Sequence, residues 1–381
     1  MWRLWVNFST LLGRELISWS WHAGLPLASV WLVASLLPRG RPSVRNTLWL
    51  AALLMLPLIP VATRVTPLPL TSVQGIRDRL HTVAPGAPVR PETPAAASPA
   101  GASVLEQVPP SIVSGSPARE ARGVQGQAWR RDLAAVLVLA WLVGVGAMLV
   151  RLCLAARWVR DLCRQAPEVG DHWHLDVLRK VRQLLDLPRP VDLRESEAVP
   201  TPVTVGLVWP VVVLPVGLLH SGRQDLIESA LCHEMAHVKR WDTVATLYRR
   251  LLEALFFFHP LVWVATRRCE LEQEHLCDDW AVGVVRDRRG YARSLTELAD
   301  MAMNGPRVPA LSFAHRPSVM RRRVTRLVEG KEMGSPRIEL SGKVLVIVVS
   351  VALLAAVSSL PLSRVRVEAA GAKRLPLRPV R

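Results

Sequence analysis

Cysteine is scarce in this chain: only Cys153, Cys163, Cys232, Cys269 and Cys277 occur. An odd count without framework spacing excludes a disulfide scaffold. None of the five falls between residues 64 and 131, and all lie at or after the third long apolar run. That distribution places the later region in a reducing compartment. No stripe of Lys and Arg interleaved with aromatics is present, so the formal charge of +17 does not indicate a nucleic-acid partner. Residues 151–343 carry 29 basic and 24 acidic side chains, and the rest of the excess surrounds the apolar segments and the tail. Internal repeats are lacking. A small-residue cleavage site is also lacking after the first apolar run, where Pro38-Arg39-Gly40-Arg41 stands instead. That run is therefore expected to be an uncleaved anchor rather than a signal peptide.

What the chain does have is apolar sequence. Hydrophobic residues make up 50% of 381, which leans toward a membrane protein. Four uncharged runs, Leu16–Pro38, Asn46–Thr63, Leu133–Val150 and Val344–Ser363, each lie between charged residues. Each approaches the ~20 residues that cross a bilayer as a helix. Trp2, Trp5, Trp19 and Trp21 suit the membrane–water boundary. The expected layout is two transmembrane helices within 1–63 (16–38 and 46–63) and a loop at 64–131. A third transmembrane helix at 132–156, a domain at 157–340, a fourth helix at 341–363 and a short basic tail at 364–381 follow. Arg39, Arg41 and Arg45 form an acid-free loop, so this loop is expected to be cytoplasmic. The amino terminus and the 64–131 loop are then extracytoplasmic, and 157–340 is cytoplasmic, facing in from a bacterial inner membrane. Arg151, Arg157, Arg160 and Arg164 agree with this orientation, whereas the basic tail runs against it.

The 64–131 loop is rich in Pro, Ala, Gly and Ser and has no apolar period, so it is expected to be largely disordered. Ala198–Gly222 is also uncharged, but Pro200, Pro202, Pro210 and Pro215 exclude a spanning helix. Its β-branched runs, Val203-Thr-Val205 and Val211-Val-Val213, predict a β-hairpin. Phe256–Trp263 is apolar but too short to cross, and is expected to be a core or membrane-contacting helix.

Within the fourth region, Leu231-Cys-His233-Glu234-Met-Ala-His237-Val carries the pattern H-E-x-x-H in an apolar-periodic, helical context. Chance supplies about 0.01 such matches in a chain of this composition, so the pattern is informative. Residues i and i+4 share a helix face, so the two imidazoles can reach one Zn²⁺, and the intervening Glu can take a proton from water that zinc acidifies. Catalytic zinc takes a third protein ligand. If Glu270–Asp279 is helical, Glu270, Glu274 and Asp278 fall on one face at i, i+4 and i+8, and periodicity does not choose among them. His275 and Cys277 are competing donors, although Cys277 also suits a small buried position. The charges at Arg223, Asp225, Glu228, Lys239 and Arg240 argue against a motif helix immersed in lipid.

Several segments together resemble the membrane metallopeptidase family of the BlaR/MecR β-lactam-sensing antirepressors. They are Pro202-Val-Thr-Val-Gly206 with Pro210 and Leu214-Pro215, and His233-Glu-Met-Ala-His237 with Asp242. Phe258-His259-Pro260-Leu-Val-Trp263 and Glu272-Gln-Glu274-His-Leu-Cys277-Asp278 complete the set. The resemblance implies a mainly α membrane protein, with three amino-terminal helices and one carboxy-terminal transmembrane helix around a gluzincin-like α+β zinc metallopeptidase domain. It implies Zn²⁺ held by His233, His237 and Glu274, with Glu234 as general base and Asp278 and Asp242 as supporting carboxylates. It also implies a protein substrate, a cytoplasmic transcriptional repressor, cleaved in response to a signal, with self-cleavage and a homodimer compatible. Only a short tail follows Ser363, where the β-lactam sensors carry a penicillin-binding domain, so direct β-lactam sensing by this chain is not expected. Ser312-Phe-Ala-His315-Arg-Pro317 with Arg322-Arg323 resembles a segment that closes related sites, which makes His315 or Arg323 an oxyanion donor or, alternatively, part of a lipid-binding basic helix. Val203, Thr204, Val205 and Gly206 are candidates to receive an extended substrate. Two rival readings stand beside this one: a housekeeping peptidase for membrane-protein quality control, and a non-enzymatic receptor or scaffold with a structural metal.

Overall fold

The computed structural model describes residues 13, 23–38, 40–58, 117–304, 317–329 and 339–359. Two compact units divide within one helix: 1–13 with 66–138, and 14–65 with 139–381. In the first unit the description covers Gly13 and the first part of one helix; apart from that helix, everything below concerns the second.

The first apolar run contributes helix α1 (Ala23–Leu36). The second forms α2 (Pro42–Met55), opened by Pro42 in its first turn, where a missing N–H costs nothing, and closed by a 3-10 turn at Leu56–Leu58. The third lies within α3 (Pro117–Gln165), whose Asp132–Gln165 portion is, among the described residues, the one helix long and apolar enough to cross a membrane. Helix α3 begins inside the stretch expected to be irregular: residues 117–131 are rich in Ala, Arg and Gln, good helix formers, after a proline start. Residues 64–116 lie outside the described chain. The fourth run forms α11 (Leu340–Ser359), met again below.

The core around the sheet starts at α4 (His172–Leu184), capped by Asp171, whose side chain accepts from the Trp173 N–H. Strands β1 (Asp192–Ser196), β2 (Val203–Val205) and β3 (Val211–Pro215) form a sheet in the order β1-β3-β2. The hairpin is present: β2 pairs antiparallel with β3, Thr204 opposite Val212. Gly206 makes its turn with φ +90°, and a side chain there would collide with the Trp209 carbonyl oxygen. Strand β3 is buried along its whole length, as a central strand is. Strand β1 pairs parallel with β3.

A short α5 (Val216–Leu219) leads to α6 (Gln224–Arg240), α7 (Asp242–Leu255), α8 (Pro260–Val285), α9 (Arg288–Asn304) and α10 (Pro317–Glu329). One core joins Val177, Val181, Val212, Leu214, Leu231, Met235, Tyr291 and Leu295, clamping α4, the sheet, α6 and α9 together. A second joins Leu27, Leu48, Trp49, Leu53, Phe256, Val262 and Val346, so that α2 is enclosed by α1, the start of α8, and α11. The Phe256–Trp263 segment is the α7–α8 junction rather than one helix. Gly144 of α3 lies so close to the Phe257 ring that a side chain would overlap it, and Trp141 Nε1 donates to the Leu255 carbonyl at 3.0 Å. Helix α3 is thus pinned to the junction ahead of α8.

Candidate metal centre

Helix α6 carries His233, Glu234 and His237; α8 carries Glu274 and Asp278. Both helices are buried along their facing sides, because Leu231, Cys232, Met235 and Ala236 on one and Leu276, Cys277 and Ala281 on the other are inaccessible or nearly so. This packing brings one donor atom each from His233, His237 and Glu274 within 4.8 Å of one another, a group that could hold a metal ion. Glu274 divides its oxygens between the imidazoles: Oε2 lies 3.4 Å from His233 Nε2 and Oε1 3.8 Å from His237 Nε2. Of the three acids on that face of α8, Glu270 turns away toward Arg250, 3.7 Å distant.

The outer nitrogens are held separately. His237 Nδ1 lies 2.9 Å from Asp242 Oδ2, and Asp242 Oδ1 accepts from Gln273 Nε2 at 3.0 Å. Gln273 is in turn bound by the buried Arg249. His233 Nδ1 lies 3.0 Å from the Tyr291 hydroxyl, which donates to Asp278 Oδ1 at 2.8 Å. Protons on both Nδ1 atoms satisfy these acceptors and leave each Nε2 lone pair for a cation. Asp242 can face His237 because α6 stops at Trp241, a non-glycine residue in the left-handed region (φ 59°) with the Arg189 guanidinium stacked 3.5 Å from its ring. Asp242 then opens α7.

Arg323 enters from α10 and is buried. It lies 2.7 Å from Glu274 Oε2 and takes Asp278 with two nitrogens, at 2.7 and 3.0 Å. Thus the link between Asp278 and Glu274 runs through a guanidinium. Burial raises both carboxyl pKa values, but Arg323 and the histidines outweigh it and hold both acids well below the usual carboxylate range. Burial and Arg323 disfavour a charged His233, yet Asp278 and Glu274 push it up to about 9. A cluster that binds protons so strongly offers a dication the same negative surroundings, and its donor set of two imidazoles and one carboxylate suits Zn²⁺.

Cys277 Sγ lies 3.3 Å from His237 Nδ1 and 3.4 Å from Asp242 Oδ2, and burial pushes its thiol pKa well up. His237, Asp242 and Cys277 form a second group of possible donors. Its imidazole nitrogen is already bound to Asp242, so the first group is the better metal site. His275 points away, its Nδ1 3.6 Å from Glu272.

Thr204 of β2 donates to Glu234 Oε2 at 2.7 Å, and Val205 packs with Leu162, Val199, Val211 and Val213 under the end of α3. Strand β2 is an edge of the described sheet, beside the motif helix. His315 lies outside the described residues. Sequence reasoning misses Tyr291, Gln273 and Arg249, and does not foresee that Arg323 binds the acids of α8. These contacts join residues far apart in the chain, and no local pattern announces them.

The chain belongs to the BlaR1 peptidase M56 family, whose model matches residues 28–327. Membership in that family implies a membrane-associated metallopeptidase. It is 25% identical over 138 residues to the regulatory protein BlaR1 of Bacillus licheniformis, covering 36% of this chain and 23% of that protein. The methicillin resistance mecR1 protein of Staphylococcus aureus is 25% identical over 88 residues, 23% of this chain and 15% of the relative. A protease HtpX homolog of Chlorobium luteolum is 28% identical over 136 residues, 33% of this chain and 46% of the relative. The chain therefore matches less than half the length of each of these relatives.

Proposed function

We propose that this chain is a zinc metalloendopeptidase of the HExxH, gluzincin type, anchored by four transmembrane helices with residues 157–340 facing the cytoplasm. The observation that carries it is the convergence of His233 Nε2, His237 Nε2 and Glu274 on one point, each histidine backed by a carboxylate. Zinc bound there supplies Lewis acidity toward water and a substrate carbonyl. Glu234, one residue from His233 and fixed by Thr204, accepts a proton from water and returns it to the leaving amine. Strand β2, through Val203, Thr204, Val205 and Gly206, receives the substrate as an added strand. Arg323 holds Glu274 and Asp278 in place, and it also lies close enough to His233, 3.3 Å from Nε2, to face charge developing on a substrate oxygen.

The substrate class follows from resemblance. The names of two relatives, a regulatory protein and a methicillin resistance protein, support signal-driven proteolysis of a cytoplasmic transcriptional repressor. The similarity to a protease HtpX homolog supports a second reading, a housekeeping membrane peptidase with the same site. Co-expression of the chain or its Glu234→Gln variant with candidate repressors, followed by immunoblotting, tests the proposal. Intact repressor should disappear only with the unaltered chain, while both proteins retain zinc. Cleavage that persists in the variant overturns the enzymatic reading, and repressors left intact by both overturn the regulatory one.

A further inference from the structure

Behind the metal centre, on the opposite sides of α8 and α10, lies a cavity of about 710 Å³. Arg45 at the start of α2, Arg268 and His275 of α8, and Arg321, Arg322 and Arg326 of α10 line it, with Pro38 from the end of the first apolar run. Two glutamates, Glu272 and Glu329, share the wall. Arg45 is committed to Glu272 at 2.9 Å, and Arg326 to Asp279 at 2.7 Å. Among the described residues, Arg268, Arg321 and Arg322 make no ion pair, and the buried His275 Nε2 has no hydrogen-bond partner. Burial, with repulsion from Arg322 and Arg45 and an opposing pull from Glu272, lowers the Arg268 pKa.

We propose that this cavity binds the phosphate headgroup of an anionic phospholipid from the cytoplasmic leaflet. Guanidinium groups meet phosphate oxygens in paired hydrogen bonds, and three uncommitted arginines around one cavity match one phosphate with its neighbouring oxygens. The lipid, rather than a soluble phosphate, is favoured by place: Pro38 and Arg45 flank the short basic loop between the first two apolar runs, which the proposed layout sets at the membrane surface, and basic pockets at that level take acidic headgroups. This inference rests on the cytoplasmic placement of the 39–45 loop, and it does not depend on peptidase activity. Helix α10 turns Arg323 to the metal centre and Arg322 to the cavity, so an occupied headgroup site holds α10 against α8.

The test uses the full chain purified in detergent and native mass spectrometry. Phosphatidylglycerol should remain bound in preference to phosphatidylcholine. The Arg268→Gln, Arg322→Gln double variant should lose that preference, with affinity falling roughly thirtyfold at about 1 kcal/mol per basic residue. Arg288→Gln with Arg289→Gln, an equal charge loss on α9, should not. The exposed Arg321→Gln is the second variant, whose removal leaves the buried contacts of α10 intact. Equal retention of the two lipids, equal behaviour of cavity and control variants, or displacement of the lipid by inorganic phosphate at matching concentration overturns the proposal. Any of these outcomes leaves the zinc peptidase reading standing.

Discussion

The Thr204 hydroxyl donates to the Glu234 carboxylate across 2.7 Å and lies 3.1 Å from the Glu234 carbonyl oxygen. A single side chain therefore joins the edge strand to the residue assigned as general base. Thr204→Val keeps the volume and removes the donor. It should lower kcat roughly ten- to hundredfold, as loss of a hydrogen bond to a charged group costs about 1.5–3 kcal/mol, with little change in KM. Thr204→Ser should restore activity. Peptide-cleavage kinetics across pH check this, and an effect confined to KM would show that Thr204 only binds substrate.

Metal binding should depend on pH in a defined direction. Burial opposes charge on His237, but Asp242 and Glu274 outweigh it and raise its pKa, as Asp278 and Glu274 raise that of His233 to about 9. Zinc must displace these protons. Apparent affinity should therefore climb as pH rises toward about 9 and level off above it, by up to about tenfold per pH unit for each proton released. Chelator-competition titrations read the slope directly. A flat profile would mean that the imidazoles are already unprotonated without metal.

Arg323 neutralises two buried acids, so its removal should destabilise the metal-free protein strongly. Arg323→Leu leaves Glu274 and Asp278 with only the histidines as countercharge, a loss of up to about 3–5 kcal/mol for a broken buried pair. Thermal unfolding followed by circular dichroism measures it. Added zinc should recover part of the loss, since a dication compensates Glu274. A variant as stable as the parent would show that the clamp contributes nothing.

The legible and illegible parts of the fold separate by range and by chemistry. The motif helix is readable because its ligands are four residues apart, and the hairpin because Val-rich runs are bounded by prolines and Gly206. Strand β1 is not: in Asp192-Leu-Arg-Glu-Ser Leu193 alone is buried, and the polar Arg194, Glu195 and Ser196 are half-buried with no apolar alternation to announce a strand. Nor can hydropathy tell a helix facing lipid from one facing protein. The second apolar run satisfies the length rule, yet α2 buries Leu48, Trp49, Ala52 and Leu53 among other helices. The two histidines of the candidate metal site are legible from their spacing, and Glu274 only from the family resemblance. Arg323 is named from sequence as an oxyanion or lipid contact but not as the partner of the α8 acids, and Tyr291 is not named at all. Tyr291 and Arg323 meet His233 from 58 and 90 residues away.

The left-handed turn at Trp241 makes distance along the chain a functional quantity. On an unbroken helix, five residues advance the direction of a side chain by about 500°, leaving the fifth about 140° away from the first. Asp242 would then look elsewhere than at His237. The corner bends the chain back, so the interval between the two residues works as a ruler with one permitted length. Insertions or deletions between His237 and Asp242 are therefore barred even where substitutions are tolerated. A length polymorphism confined to the four positions between them would report loss of the imidazole's support more surely than any change of residue type.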